Sequence, residues 1–130
     1  MISELTERQK ELKERFTKDR GYWNEETWGS ILRLDEEYFE AYLNLSAHPW
    51  KQGVLEPKVK ELIYIAIDAS CTHLYGPGIR QHISNALKYG ASVKEIMEVF
   101  ELTSVLGIHT LTAGVPILLE EMEKADKEDI

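Results

Sequence analysis

The chain has 130 residues, 43% hydrophobic and 29% charged, with a formal net charge of −8. That fits one ordinary globular domain, and the negative balance leaves no basic stripe for nucleic-acid phosphates or anionic lipid, so neither is an expected partner. One cysteine excludes an internal disulfide, no charged-then-apolar leader opens the chain, and apolar runs such as Leu62–Ile67 are short, so a cytoplasmic protein with no signal peptide and no bilayer-spanning segment is expected.

Residues 3–19 are charge-rich with a thin stripe of Leu5, Leu12 and Phe16, which predicts a helix that needs a partner surface. DRGYWN breaks it. Asn24 can cap a short helix through Glu25, Glu26 and Trp28, and Asp35 the next, which carries Tyr38, Phe39, Tyr42 and Leu43 at helical spacing. AHPWKQGVLEP, residues 47–57, reads as a loop with two breakers. The aromatics Tyr22, Trp23, Trp28, Tyr38, Phe39 and Tyr42 suit a core or an interface, or the wall of a pocket for an unsaturated ligand.

Pro57 suits the first turn of a helix over PKVKELIYIAIDASCTH, residues 57–73. At 100° per residue Glu61, Ile65, Asp68 and Thr72 share one line, and the rest of the circumference is apolar, which predicts burial. Buried acids need partners, so that stripe should face a polar pocket or a subunit interface. LYGPG then turns the chain, with Gly76-Pro77-Gly78 as the hinge of a helical hairpin. GIRQHISNALKYG places Ile79, His82, Ile83, Ala86 and Leu87 on one face, and Gly90 is a natural terminator. Ser92 and Glu95 form a capping box for a helix with Val93, Ile96, Val99, Phe100 and Leu106 apolar. A break is expected near Gly107–Ile108, then a helix over 109–124, kinked by Gly114 and Pro116, and a frayed tail. No strand pattern is present. The expectation is an all-α, single-domain bundle of six or seven helices, with N-terminal helices in 1–56, a core in 57–124 and a tail in 125–130.

Glu61, Asp68, Cys71, His73, Arg80, His82 and His109 are the residues that could carry chemistry. Two helices joined by a short turn pack antiparallel, so the Glu61–Asp68 line can meet the face bearing His82. A carboxylate against a histidine in a dry crevice is a workable proton relay, with the acid setting the tautomer; it is equally a core histidine satisfied by a buried acid. Cys71 is either a nucleophile assisted by His73 or His82, or a small buried apolar residue. Arg80 could fork onto a substrate carboxylate, or sit solvated at the surface. His73 and His109 could also reach substrate. No metal is expected, because the spacing of Cys71, His73 and His82 matches no zinc pattern and H-E-x-x-H is absent.

Over Pro57–Leu118 the chain resembles the carboxymuconolactone decarboxylase family, which includes the alkylhydroperoxidase-type proteins. The resemblance rests on PKVKELIYIAIDASC, on the H-x-x-x-A-L-x-x-G signature HISNALKYG followed by VKEIMEVFEL, and on the Gly-interrupted last segment; the first 56 residues match only in helical character. It implies an alkylhydroperoxidase-like all-α fold that assembles as a homotrimer or homohexamer with pockets at subunit contacts. The family's functional glutamate falls on Glu61 and its histidine on His82. The alkylhydroperoxidase branch uses C-x-x-C with the histidine soon after, whereas here Cys71 stands alone, so its intramolecular disulfide cycle has no second thiol. The expected activity is therefore cofactor-free proton transfer or decarboxylation on a small unsaturated carboxylate or lactone, with His82, Glu61 and Cys71 as candidate catalytic residues and Arg80, His109, His73 and Asp68 as candidate substrate contacts. A one-cysteine peroxidase or thiol sensor using Cys71 and a non-enzymatic oligomeric scaffold are the alternatives.

Overall fold

The structure, a computed structural model, describes residues 3–128. Among these residues there is no strand. Seven α-helices, one π-helical turn and one 3-10 segment account for the fold, which is all-α. The chain divides into two compact units, Met1–Pro57 and Lys58–Ile130.

In the first unit, α1 spans Glu7–Arg20 and starts later than the charge pattern predicts. Thr6 accepts from the Gln9 N–H while the Gln9 side chain accepts from the Thr6 N–H, a capping box that fixes the start. Gly21, at φ 78°, ends the helix in the left-handed conformation. The Asn24 side chain accepts from the Thr27 N–H and opens the π-helical turn Glu25–Gly29, which runs into α2, Ser30–Leu34. Asp35 caps α3, Glu36–Gln52. This helix overruns the loop expected from Ala47 onward: Pro49 lies in its last turns, Ala47 is buried, and only 53–56 are non-helical. Pro49 forfeits one donor and crowds the carbonyl four residues back, yet the helix continues through Gln52, with Ala47 in the core. Leu12, Phe16, Leu32, Phe39, Leu43 and Ala47 form the core. Phe16 is its centre, with the rings of Tyr22, Trp23, Trp28 and Phe39 at 5.2–5.7 Å. These aromatics thus lie in or against the core, apart from the exposed Tyr38.

In the second unit, α4 spans Pro57–Ala69 and α5 spans Gly76–Lys88. Helix α4 stops four residues before its predicted end. The reversal is made by residues 70–75, with Leu74 in the left-handed region at φ 43°. Gly76-Pro77-Gly78 is therefore the first turn of α5 and not the hinge. Helix α5 closes on a Schellman motif: the Ala91 N–H donates to the Ala86 carbonyl, the Gly90 N–H to that of Leu87, and Gly90 takes φ 89°. Two residues later Ser92 and Glu95 form the expected capping box of α6, Val93–Ser104. The 3-10 segment Val105–Ile108 stands where a break is predicted, and α7 follows, His109–Glu128. The tail expected to fray from residue 125 is helical through Glu128; Asp129 and Ile130 lie outside the described residues.

The core of this unit is small: Ile65, Ala86, Ala91 and Ile96, with Leu62, Ile83, Val99 and Phe100 packed on it. Helix α4, expected to be buried all round, buries only Glu61 and Ile65 and exposes Ile63 and Ile67. No residue of the 3-10 segment or α7 is buried, although they carry Leu106, Ile108, Leu111, Val115, Leu118 and Met122. The helical run Val93–Glu128 is long and apolar enough, by length and composition alone, to cross a membrane, with mean hydropathy 1.6 over its best window. Threonines and His109 interrupt this run, so it contains no long uninterrupted apolar stretch of the kind whose absence from the sequence predicts no bilayer-spanning segment.

Candidate active site

Helices α4 and α5 pair early residues with late ones, Glu61 with His82 and Asp68 with Gly78, so they run antiparallel. That register brings the α4 stripe onto the face of α5 bearing His82. His82 Nδ1 lies 2.6 Å from Glu61 Oε2, and both residues are buried, Glu61 to 1% and His82 to 6% overall exposure. A carboxylate only accepts, so against an ionised Glu61 the Nδ1 nitrogen is the donor, while Nε2 faces Asp68. Asn85, one turn further along α5, donates from Nδ2 to Glu61 Oε1 at 3.4 Å, and Gln81 donates to Asn85 Oδ1 at 3.1 Å. Both oxygens of the buried acid are thereby engaged, which is what its burial requires. Tyr64 stacks on the imidazole at 4.6 Å between centroids and holds the ring plane. Removing either partner of such a buried pair costs about 3–5 kcal/mol.

Asp68 stands at the other edge of the ring. Its Oδ2 lies 3.6 Å from His82 Nε2, and its Oδ1 lies 3.3 Å from His73 Nε2. A Cβ on Gly78 would fall 2.0 Å from Asp68 Oδ2, so the carboxylate occupies space that only glycine leaves open. The Tyr75 N–H donates to the Asp68 carbonyl at 2.7 Å and ties the turn to the end of α4.

The structure thus gathers Glu61, Asp68, His73 and His82 into one cluster. It places the other candidates elsewhere. Thr72, predicted to continue the acidic stripe, is exposed because α4 ends at Ala69. Cys71 is exposed in the same turn and lines a hollow of about 320 Å³ with Ala69, Leu74, Phe100, Thr103 and Ser104, a lining that includes neither histidine. Arg80 is exposed on α5 two residues from His82, and residues two apart do not share a helix face. His109 is exposed at the start of α7, with Thr112 Oγ1 at 3.4 Å from its Nδ1. Sequence reasoning missed Tyr64, Asn85 and Gly78. The first two stand three residues from Glu61 and His82, the spacing that shares a helix face; the third looked like turn punctuation.

Residues 36–118 match the sequence model of the carboxymuconolactone decarboxylase family. A crystal structure from Burkholderia xenovorans LB400, a "putative gamma-carboxymuconolactone decarboxylase subunit", shares 48% sequence identity with a TM-score of 0.93. The match covers 96% of this chain and 50% of that one, so the present chain spans half the length of its solved relative. No curated protein matches it. With the family pattern covering well over half its length, the chain belongs to the carboxymuconolactone decarboxylase family.

Proposed function

We propose that this protein releases CO2 from a small unsaturated carboxylate or lactone without a cofactor, with His82 as the proton donor. The observation that carries the reading is the 2.6 Å contact between Glu61 and His82, buried and braced by Asn85 and Tyr64. When the bond to the carboxylate breaks, its electron pair stays on the substrate as an enolate or carbanion. A proton on Nε2 is then passed to carbon, while Glu61 stabilises the ring by accepting from Nδ1. The family and the name of the Burkholderia relative point the same way.

Arg80 or His109 is the proposed partner of the substrate carboxylate. Neither shares the His82 cluster within one chain, so this role needs a neighbouring copy. We accordingly place the working form as a homotrimer or homohexamer in which copies cover one another's unburied α7. The exposed Leu111, Val115 and Leu118 support it, since each such side chain contributes roughly 1.5–3 kcal/mol once buried.

The test uses γ-carboxymuconolactone with CO2 release as the readout. In His82→Gln, kcat should fall about 10²–10⁴-fold. Unchanged turnover in that variant would remove His82 from the chemistry.

A further inference from the structure

Release of CO2 from a carboxylate consumes one proton per turnover, because the electron pair left on carbon must be protonated. The donor must then be recharged from water before the next cycle. The buried His82 has little direct access to water. Four titratable side chains nevertheless line up from the interior outward. Side-chain exposure rises from 1% at Glu61 to 8% at His82, 14% at Asp68 and 51% at His73. The links after the Glu61 contact are 3.6 Å, His82 Nε2 to Asp68 Oδ2, and 3.3 Å, Asp68 Oδ1 to His73 Nε2.

We propose that Asp68 and His73 form a proton-return path that recharges His82 from solvent. The demand for that proton rests on the decarboxylase reading above. His73 takes up a water-borne proton at Nδ1 and releases the one on Nε2 to Asp68 Oδ1. Asp68, now a carboxylic acid, rotates its carboxyl so that the newly protonated oxygen faces His82, and gives that proton to Nε2, which returns it to a carboxylate. Only N–H and O–H bonds change, and His73 returns to its first tautomer before the next proton. A half-exposed histidine suits the outer step, since one ring nitrogen reaches Asp68 while the rest of the ring meets water. The two links are a few tenths of an ångström longer than good hydrogen bonds, which is usual for proton paths without substrate bound.

The geometry around Asp68 favours a built path over a chance contact. Gly78 leaves space for one carboxylate oxygen, and the Tyr75 N–H fixes the Asp68 backbone. The Tyr75 ring, 5.7 Å from that of His73, flanks the outer histidine. Asp68 and His73 are positioning and relay residues; His82 alone touches the reacting carbon.

The experiment reads the path with and without substrate. In protein labelled with 15N-histidine, exchange of the His82 ring N–H with water should slow about tenfold in His73→Gln and in Asp68→Asn. Free imidazole at tens of millimolar should restore the rate in His73→Gln. With γ-carboxymuconolactone, His73→Gln should lower kcat about tenfold, leave kcat/KM within about twofold, and regain kcat with imidazole, because recharging follows bond cleavage. Unaltered ring exchange in both variants overturns the path. So does a matched loss of kcat and kcat/KM without rescue, which would make His73 a substrate contact. If exchange slows as expected but the wild-type protein releases no CO2, the path stands and the decarboxylase reading falls. His73 is exposed, so its replacement leaves the core intact.

Discussion

Gly78→Ala separates the chemistry of the site from its stability. The added Cβ would lie 2.0 Å from Asp68 Oδ2 and 2.7 Å from Tyr75 Cδ1. Ordinary contact begins near 3.4 Å, so the carboxylate must retreat by about 1.4 Å. A retreat directed away from His82 would open that contact from 3.6 Å to about 5 Å. At an effective dielectric near 20, attraction to a doubly protonated ring drops from about 4.6 to about 3.3 kcal/mol, a loss of about 1.3 kcal/mol, or roughly tenfold. Stability should move far less. Alanine gains about 0.5–1 kcal/mol over glycine in a helix, and Asp68 and Tyr75 can swing aside at similar cost. The expected outcome is a melting temperature within about 4 °C of wild type, with CO2 release slowed about tenfold, as in Asp68→Asn. In an Asp68→Asn background, Gly78→Ala should add less than about twofold, since both act on one contact. Wild-type turnover in the single variant, or a further tenfold loss in the double, would refute the reasoning.

Cys71→Ser should leave turnover within about twofold, because the thiol lines a hollow that does not include His82; a large loss would revive the thiol-peroxidase reading. Leu111→Glu with Leu118→Glu should reduce the particle seen by light scattering to a 15.0 kDa chain, since each charge would be buried at the copy-to-copy contact; an unchanged mass would refute α7 as the interface. Glu95 gives the acid-side prediction. The Ser92 backbone N–H and then Lys58 hold its carboxyl below the ordinary carboxylate value. A lowered folded value contributes stability that is present above the unfolded value and lost as pH falls through the folded one. Urea titrations at pH 7 and pH 3 should therefore show a smaller acid loss in Glu95→Gln than in wild type.

Periodicity made the Glu61–His82 pairing legible, because a carboxylate on an otherwise apolar helix had to find a partner on the next one. The same stripe foretold Asp68. What failed was the punctuation. Gly76-Pro77-Gly78 looks like a hinge, yet proline and glycine serve equally well in a first helical turn, and the reversal was made by Leu74, a residue with no turn signature. Pro49 looks like a breaker, yet α3 runs three residues past it. Thr72 was placed on the stripe because no local signal marks the end of α4 at Ala69. The apolar circumference of α4 predicts burial that the chain does not supply, because composition records that a surface is apolar and not what covers it.

If copies cover it, the exposed α7 would tie the protein's endurance to its abundance. On the assembly proposed above, each copy is completed by its neighbours, so mass action enters the folding equilibrium. A tenfold dilution then weakens the protein by an increment set by the number of copies, and melting temperature becomes a readout of concentration as much as of sequence.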